Sequence, residues 1–229
     1  MLRKILAVSS EITRFFITYI PGGSGRKIRY WYYKEKFKRC GRNVLIDEGV
    51  IIQNPKWISL GDNVWIDKYS ILMAGKLKNQ FKMLKRIENK NFTWVEGELI
   101  IGSGVHIGIS NILQAHGGLY IGNNVTLSAG VKIYSLSNYP YFGEKTEIVT
   151  FANCMVHDQN KVPYILAPIV IEDGVWIALD CLVLGGTIGK NSFISSQSIV
   201  YKDIPKNSYA CGNPAKKVKE RFNLRQAND

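Results

Sequence analysis

Aliphatic residues recur about every six positions between Leu99 and Val200, and this spacing is the strongest structural signal in the chain. The clearest copies are Ile121-Gly-Asn-Asn-Val-Thr126, Leu127-Ser-Ala-Gly-Val-Lys132, Ile171-Glu-Asp-Gly-Val-Trp176 and Ile177-Ala-Leu-Asp-Cys-Leu182. Each opens on an aliphatic residue, continues with a small or polar pair, and has a small or β-branched residue fifth. A six-residue unit cannot bury its own apolar side, so the copies must stack into a solenoid. Six is too short for a helical repeat. It suits a coil with flat sides, each a short strand whose leading residue points inward, with turns of Gly, Asn and Asp. Three units make a coil of about eighteen residues and a triangular prism with a core of stacked Ile, Val and Leu.

The register extends in both directions. Leu60, Ile66 and Leu72 continue it upstream, with Val44, Val50 and Ile58 in a looser first coil. It resumes after an interruption at Ile101, Ile107 and Leu113, slips by two residues, and restarts at Ile121, Leu127 and Ile133. After a second interruption, ending near Pro168, it runs from Ile171, Ile177 and Val183 to Ile188, Ile194 and Val200. The step from Val183 to Ile188 is one residue short, which predicts a tightened turn. The predicted organisation is a helical segment over 1–42, a solenoid over 43–217 with insertions near 75–98 and 137–168, and a tail over 218–229.

The pattern resembles that of the hexapeptide-repeat acyltransferases over roughly residues 44 to 217. The ending is the most specific part: Ile169-Val-Ile-Glu-Asp-Gly-Val-Trp-Ile177, the Ile188-Gly-Lys turn, Lys202-Asp-Ile-Pro205 and Gly212-Asn-Pro-Ala-Lys216 follow the order and spacing of the family's sugar O-acetyltransferases. The resemblance implies a mainly β fold, a left-handed parallel β-helix. It also implies acetyl-coenzyme A as donor, a sugar or glycan acceptor, and a homotrimer with active sites between neighbouring prisms. Handedness comes from the resemblance alone, because parallel strand connections are ordinarily right-handed.

Charge adds a second feature. Eleven Lys or Arg against Glu11 and Glu35 place nine of the twelve net positive charges in residues 1–42. The same segment carries Ile5-Leu-Ala-Val8, Phe15-Phe-Ile17 and Tyr30-Trp-Tyr-Tyr33. Its first apolar stretch is too short and too charged to span a bilayer, and no signal-peptide cleavage site follows it. Two expectations stand side by side: a basic amphipathic helix broken at Pro21-Gly-Gly-Ser-Gly25 that lies on an anionic membrane, or helices that cap the first coil. Nucleic acid is the weakest partner, because no recognition motif accompanies the charge. Cys40, Cys154, Cys181 and Cys211 show no disulfide framework or Cys-x-x-Cys spacing, which fits a reducing, cytoplasmic compartment. The protein is then peripheral on the membrane's inner face if it binds one at all.

The insertions differ in chemistry. The first is basic and aromatic (Lys76, Lys78, Phe81, Lys82, Phe92, Trp94); the second contains Tyr139-Pro-Tyr-Phe142, Cys154, His157 and Tyr164. Long structured loops on a solenoid carry function or pack between subunits, and both readings apply here.

Acyl transfer to a hydroxyl needs a general base for the nucleophile's proton and donors for the oxyanion. Histidine is the natural base, and the chain has His106, His116 and His157. His116, in Leu113-Gln-Ala-His-Gly-Gly-Leu-Tyr-Ile-Gly122, lies where the register slips, and is the expected base; the plain alternative is an exposed turn histidine. The motif resembles the Asp-His of the serine acetyltransferases, whose His is the base, but Ala115 stands in place of the Asp, so another acceptor must orient the ring. In the galactoside, maltose and xenobiotic acetyltransferases the base follows a Val-x-Ile-Tyr-like strand; the matching position here is Asn138, which cannot act as a base but can donate to substrate. His116 and Asn138 are expected near one corner, about a coil apart. His157 is a candidate acceptor contact, and His106 reads as an outward-facing surface residue.

The resemblance implies a pantetheine held along the coil by repeats such as those of Ala178 and Ser196. Phosphates would lie near Lys202, Lys216 or Lys217. No metal is expected, because the three histidines lack the spacing of the γ-type carbonic anhydrases that share the fold. The non-enzymatic alternative is a hexapeptide-repeat scaffold that has lost activity and serves membrane-associated glycan assembly.

Overall fold

The computed structural model describes residues 2–77, 83–85, 92–138, 141–142, 147–148 and 164–222. Three parallel sheets form the sides of a prism. The first side stacks Arg39–Cys40, Ile58–Leu60, Leu99–Ile101, Leu119–Ile121, Ile169–Ile171 and Gly186–Ile188. The second begins with Leu45–Ile46, Trp65–Ile66 and His106–Ile107, and the third with Ile51–Gln53, Ile71–Met73 and Ile112–Gln114.

The fifth residue of one hexapeptide and the first of the next are two apart, so both point inward from one strand. Val64 and Ile66, Val105 and Ile107, Val125 and Leu127, and Val175 and Ile177 are all buried in this way. Each aliphatic side chain so buried contributes about 1.5–3 kcal/mol. The interior is not wholly apolar. Ser70 donates from Oγ to the Gly108 carbonyl (2.9 Å) and accepts from the Asn111 amide (3.2 Å).

Two corners are fixed by one left-handed residue per coil. The first uses Asn43, Asn63, Gly104, Asn124, Gly174, Asn191 and Asn207; the second uses Gly49, Tyr69, Ser110, Gly130, Asp180 and Gln197. Gly and Asn tolerate this conformation best, which explains their place in the repeat. The Asn side chains also bond along the edge, Asn43 Nδ2 donating to Asn63 Oδ1 at 2.8 Å.

The third corner is longer. Leu99 pairs with Leu119, so a regular coil has twenty residues rather than the expected eighteen or so. The two extra residues fall between third and first sides, where the chain takes eight residues from Ile52 to Leu60 and again from Leu113 to Ile121. The slip after Leu113 is therefore a property of this corner. Both insertions leave here, after Ala74 and after Ser135. Toward the C-terminus the coil tightens: Ile169 pairs with Gly186, and Leu184-Gly185 alone joins Leu182–Val183 to Gly186–Ile188.

The ends are closed differently. The hairpin of Ser208–Gly212 and Ala215–Glu220 finishes the second side, so ordered strand runs past residue 217, where the tail was expected. Arg221 Nη1 donates to the carbonyls of Gly174, Asn191 and Ser192. At the N-terminus stand α1 (Leu2–Tyr19) and α2 (Gly22–Lys34). The expected break over residues 21–25 narrows to Ile20-Pro21, and Gly22–Gly25 form the first turn of α2. A Cβ on Gly25 would lie 2.0 Å from the Ile20 carbonyl oxygen, so glycine lets the two helices meet. Among the described residues no helix is long and apolar enough to cross a membrane.

α2 caps the first coil. Tyr33 and the following Phe37 join the core, and the fully buried Arg29 donates from Nε to the Ile46 carbonyl (2.7 Å) and from Nη1 to that of Ile20 (2.7 Å). Arg26 grips the buried Asp47 with two nitrogens, and Trp65 Nε1 donates to the same carboxylate at 3.2 Å. Burial alone would push the Asp47 carboxyl up, but the Arg26 and Trp65 hydrogen bonds and the Arg26 charge hold it below the usual carboxylate range. A depressed folded value means that the stabilisation is complete above the unfolded value and is lost as pH falls through the folded one. Urea unfolding between about pH 7 and pH 3 should therefore show an acid-side loss of stability that Asp47→Asn reduces. An unchanged slope in the variant would remove Asp47 from the cap.

Candidate active site

His116 lies in the third corner, in the turn between Ile112–Gln114 and Leu119–Ile121, and is half-buried. Its Nδ1 is 2.8 Å from the Gly75 carbonyl oxygen. A carbonyl only accepts, so Nδ1 carries a proton, and in the neutral ring Nε2 keeps its lone pair for a substrate. This is the tautomer a general base needs. The orienter left open by Ala115 is thus a main-chain group. Ala115 is itself fully buried, where a carboxylate would have to be desolvated.

Three hydrogen bonds fix the carbonyl and the turn. The Gly75 amide donates to the Gly97 carbonyl (2.7 Å), closing the neck of the first insertion. Asn54 Nδ2, one coil below, donates to the Ala74 carbonyl (2.8 Å), and the Ala115 amide donates to that of Met73 (2.8 Å). Gly97 has φ +83°, and a Cβ there would lie 2.5 Å from the Lys76 nitrogen, so the neck requires glycine.

The coil above clamps the other side. Ser135 Oγ accepts from the Gly117 amide (2.8 Å) and donates to the Gln114 carbonyl (2.7 Å), while the Leu136 amide donates to Gln114 Oε1 (2.9 Å). The chain then leaves as the strand Leu136–Asn138, antiparallel to Tyr164–Leu166, which pairs in parallel with Met83–Lys85 of the first insertion. The two interruptions, expected as loops, thus share one small sheet. The corner positions of His116 and Asn138 lie in consecutive coils. His157 falls outside the described residues. Beside the turn is a shallow cleft lined by Phe92, Trp94, Glu98, Gly118 and Tyr120, with the Phe92 and Tyr120 rings 5.0 Å apart.

Other expected residues are spread over the prism. Ala178 and Ser196 follow the second side in successive coils, at the second corner. Lys202 is exposed after Ile199–Val200, at the third corner, and Lys216 is exposed in the C-terminal hairpin. Lys217 pairs with Glu220. The structure therefore does not gather these four positions on one edge. His106 faces outward from the second side, as expected, but is not simply solvated: its Nε2 is 3.0 Å from Asp67 Oδ2 and its ring lies on Trp65, 4.8 Å between centroids. The residues missed by sequence are Gly75, Gly97, Gln114 and Ser135. The only signal was a glycine at each end of the first interruption.

No family model matches the chain. Among curated proteins it is 35% identical over 125 residues to a galactoside O-acetyltransferase of Lactococcus lactis, covering 53% of this chain and 55% of that protein. It is 35% identical over 101 residues to a putative acetyltransferase of Schizosaccharomyces pombe (44% and 42%), and 29% identical over 128 residues to the putative colanic acid biosynthesis acetyltransferase WcaF of Escherichia coli (45% and 70%). The chain thus spans about half the length of the first two relatives. Among solved structures, a hexapeptide-repeat-containing acetyltransferase of Vibrio cholerae complexed with acetyl-coenzyme A superposes with TM-score 0.52 over 95% of this chain and 88% of the other, at 22% identity. The N-acyltransferase AntD of Bacillus cereus, complexed with dTDP and 3-hydroxybutyryl-CoA, gives 0.61 over 84% and 87% at 20% identity. The repeat-based resemblance to hexapeptide-repeat acyltransferases therefore extends to their sequences and to their fold.

Nitrogen NMR of labelled histidine should show neutral His116 protonated at Nδ1. Gly97→Ala should open the neck and shift the ring toward the Nε2-protonated form. An Nε2-protonated ring in the unaltered protein would overturn the Gly75 contact.

Proposed function

We propose that the protein is an acetyl-coenzyme A-dependent O-acetyltransferase acting on a sugar or glycan hydroxyl, with His116 as general base. The observation that carries this reading is the Nδ1–Gly75 contact, which leaves Nε2 as the acceptor. The O-acetyltransferase relatives and the coenzyme A held by neighbours of this fold support the donor and reaction class.

In the reaction, Nε2 takes the hydroxyl proton as the oxygen attacks the thioester carbonyl. The tetrahedral oxyanion collapses, the C–S bond breaks, and the imidazolium returns a proton to the departing thiolate. Transfer is direct, with no covalent enzyme intermediate. Asn138 lines the acceptor pocket, its amide suited to donate to a hydroxyl or to the oxyanion, and His157 contacts the acceptor. Main-chain groups at Ala178 and Ser196, which share the second corner, hold the donor's pantetheine; Lys202 and Lys216, expected near its phosphates, lie elsewhere on the prism and receive no role.

The coil is taken as left-handed and the assembly as a homotrimer. The outward faces of Trp65 and Trp176, each more than a third exposed, give the second side an apolar surface for a neighbouring copy. Placing both insertions on one corner suits a site completed at a subunit boundary. We assign the protein to the cytoplasm, where thiols such as Cys40, Cys181 and Cys211 stay reduced.

Thiol release from acetyl-coenzyme A, followed with a panel of glycoside acceptors, tests the assignment. His116→Ala should lower kcat by roughly 10²–10⁴-fold while coenzyme A binding persists. Unchanged turnover in the variant would remove His116 as the base. A wild-type chain that binds no coenzyme A would instead be a glycan-assembly scaffold.

A further inference from the structure

The N-terminal helices divide two roles. α2 is spent on capping the first coil, whereas α1 is fastened at its C-terminal end. Thr18 is buried, its carbonyl accepts from the Gly49 amide (2.9 Å), and the Arg29 guanidinium takes the carbonyls of Ile17 and Ile20. Those bonds satisfy carbonyls that a helix end leaves unpaired. They leave one side of the helix exposed from Ile12 onward.

That side is apolar. Ile12, Phe15, Phe16 and Tyr19 are 53%, 59%, 61% and 50% exposed, and their spacing puts them on one face of α1. The rings form a cluster, Phe15 lying 5.7 Å from Phe16 and 5.1 Å from Tyr19. Trp31 on α2 is 68% exposed with the Lys34 ammonium 5.5 Å from its ring. A folded chain does not leave such a stripe bare without a partner for it.

Charge selects the partner. Of the basic residues in this segment, Arg26, Arg29, Lys38 and Arg42 are engaged with Asp47, main-chain carbonyls, Glu98 and Asp62. Arg14, Lys27 and Lys36 are exposed, and none forms an ion pair among the described residues. A second copy brought against this face would set one strongly basic segment on another. A duplex offers nothing for phenylalanine side chains that stand free. A bilayer with anionic headgroups satisfies both features, taking the aromatic stripe at the headgroup boundary and the cations among the phosphates.

We propose that α1 docks the protein on an anionic membrane, with Ile12, Phe15, Phe16 and Tyr19 inserted and Arg14, Lys27 and Lys36 meeting lipid phosphates. The orientation follows from the stack. Phe15 and Tyr19 border the groove along Ile51–Gln53. Gln53 pairs with Met73 and Met73 with Gln114, two ladder steps or about 10 Å, so the docked helix lies on the edge that carries His116.

Sedimentation of the full chain with vesicles tests this without reference to catalysis. The protein should pellet with phosphatidylcholine–phosphatidylglycerol vesicles, remain in the supernatant with phosphatidylcholine alone, and lose binding as salt is raised. F15S/F16S and R14E/K27E should each weaken binding at least about tenfold while circular dichroism and unfolding midpoint stay unchanged, because all four side chains are exposed. Equal binding by F15S/F16S, or no binding by the wild type, would overturn the proposal. So would lipid-free self-association that F15S/F16S abolishes, which assigns the stripe to a second copy.

Discussion

Parallel strands stacked in register permit no slack along a flat side: each residue sits over its counterpart one coil below, and the strands' backbone groups pair between neighbouring coils. An extra residue on a side would turn the inward Ile and Val column outward. Extra residues must therefore be expelled at a corner. Two corners are already committed to a single left-handed residue per coil, and a longer connection would break those columns. The third corner, with its eight-residue step, is the one place where the chain leaves and returns without disturbing the prism.

The candidate site follows from that constraint. Because both insertions use one corner, the neck of the first lies beside the turn that carries His116, and the start of the second lies on its other side. The main chain then does what a carboxylate does elsewhere. A neutral carbonyl fixes the ring's tautomer and orientation without bringing a buried charge into the corner. It also makes the geometry depend on the insertion neck, so that the His116 ring is set by Gly75 and Gly97 more than by its own repeat.

A solenoid's open end poses the opposite problem, since an unfilled first coil exposes its core. Here one buried arginine serves both helices: Arg29 ties the end of α1 and the carbonyl of Ile46 to α2. The capping and membrane readings of the basic segment compete only while it is treated as a single amphipathic unit. Separated at Ile20-Pro21, α2 faces inward and α1 presents its apolar stripe outward.

The sequence by itself determined the three-sided coil, because a repeat of six with one inward aliphatic residue and a Gly, Asn or Asp turn admits few stacked solutions. It also located the irregular corner, through the slip after Leu113 and the interruptions that follow Leu72 and Ile133, and it pointed to His116 within it. The tertiary structure decided what meets there. Gly75 and His116 are forty-one residues apart, and nothing local to either predicts a hydrogen bond that arises from stacking one coil upon another. The same holds for the sheet shared by the two insertions and for the separation of Ala178 and Ser196 from Lys202. Periodicity reports which way a residue faces; only closure of the coil fixes which distant residue it faces.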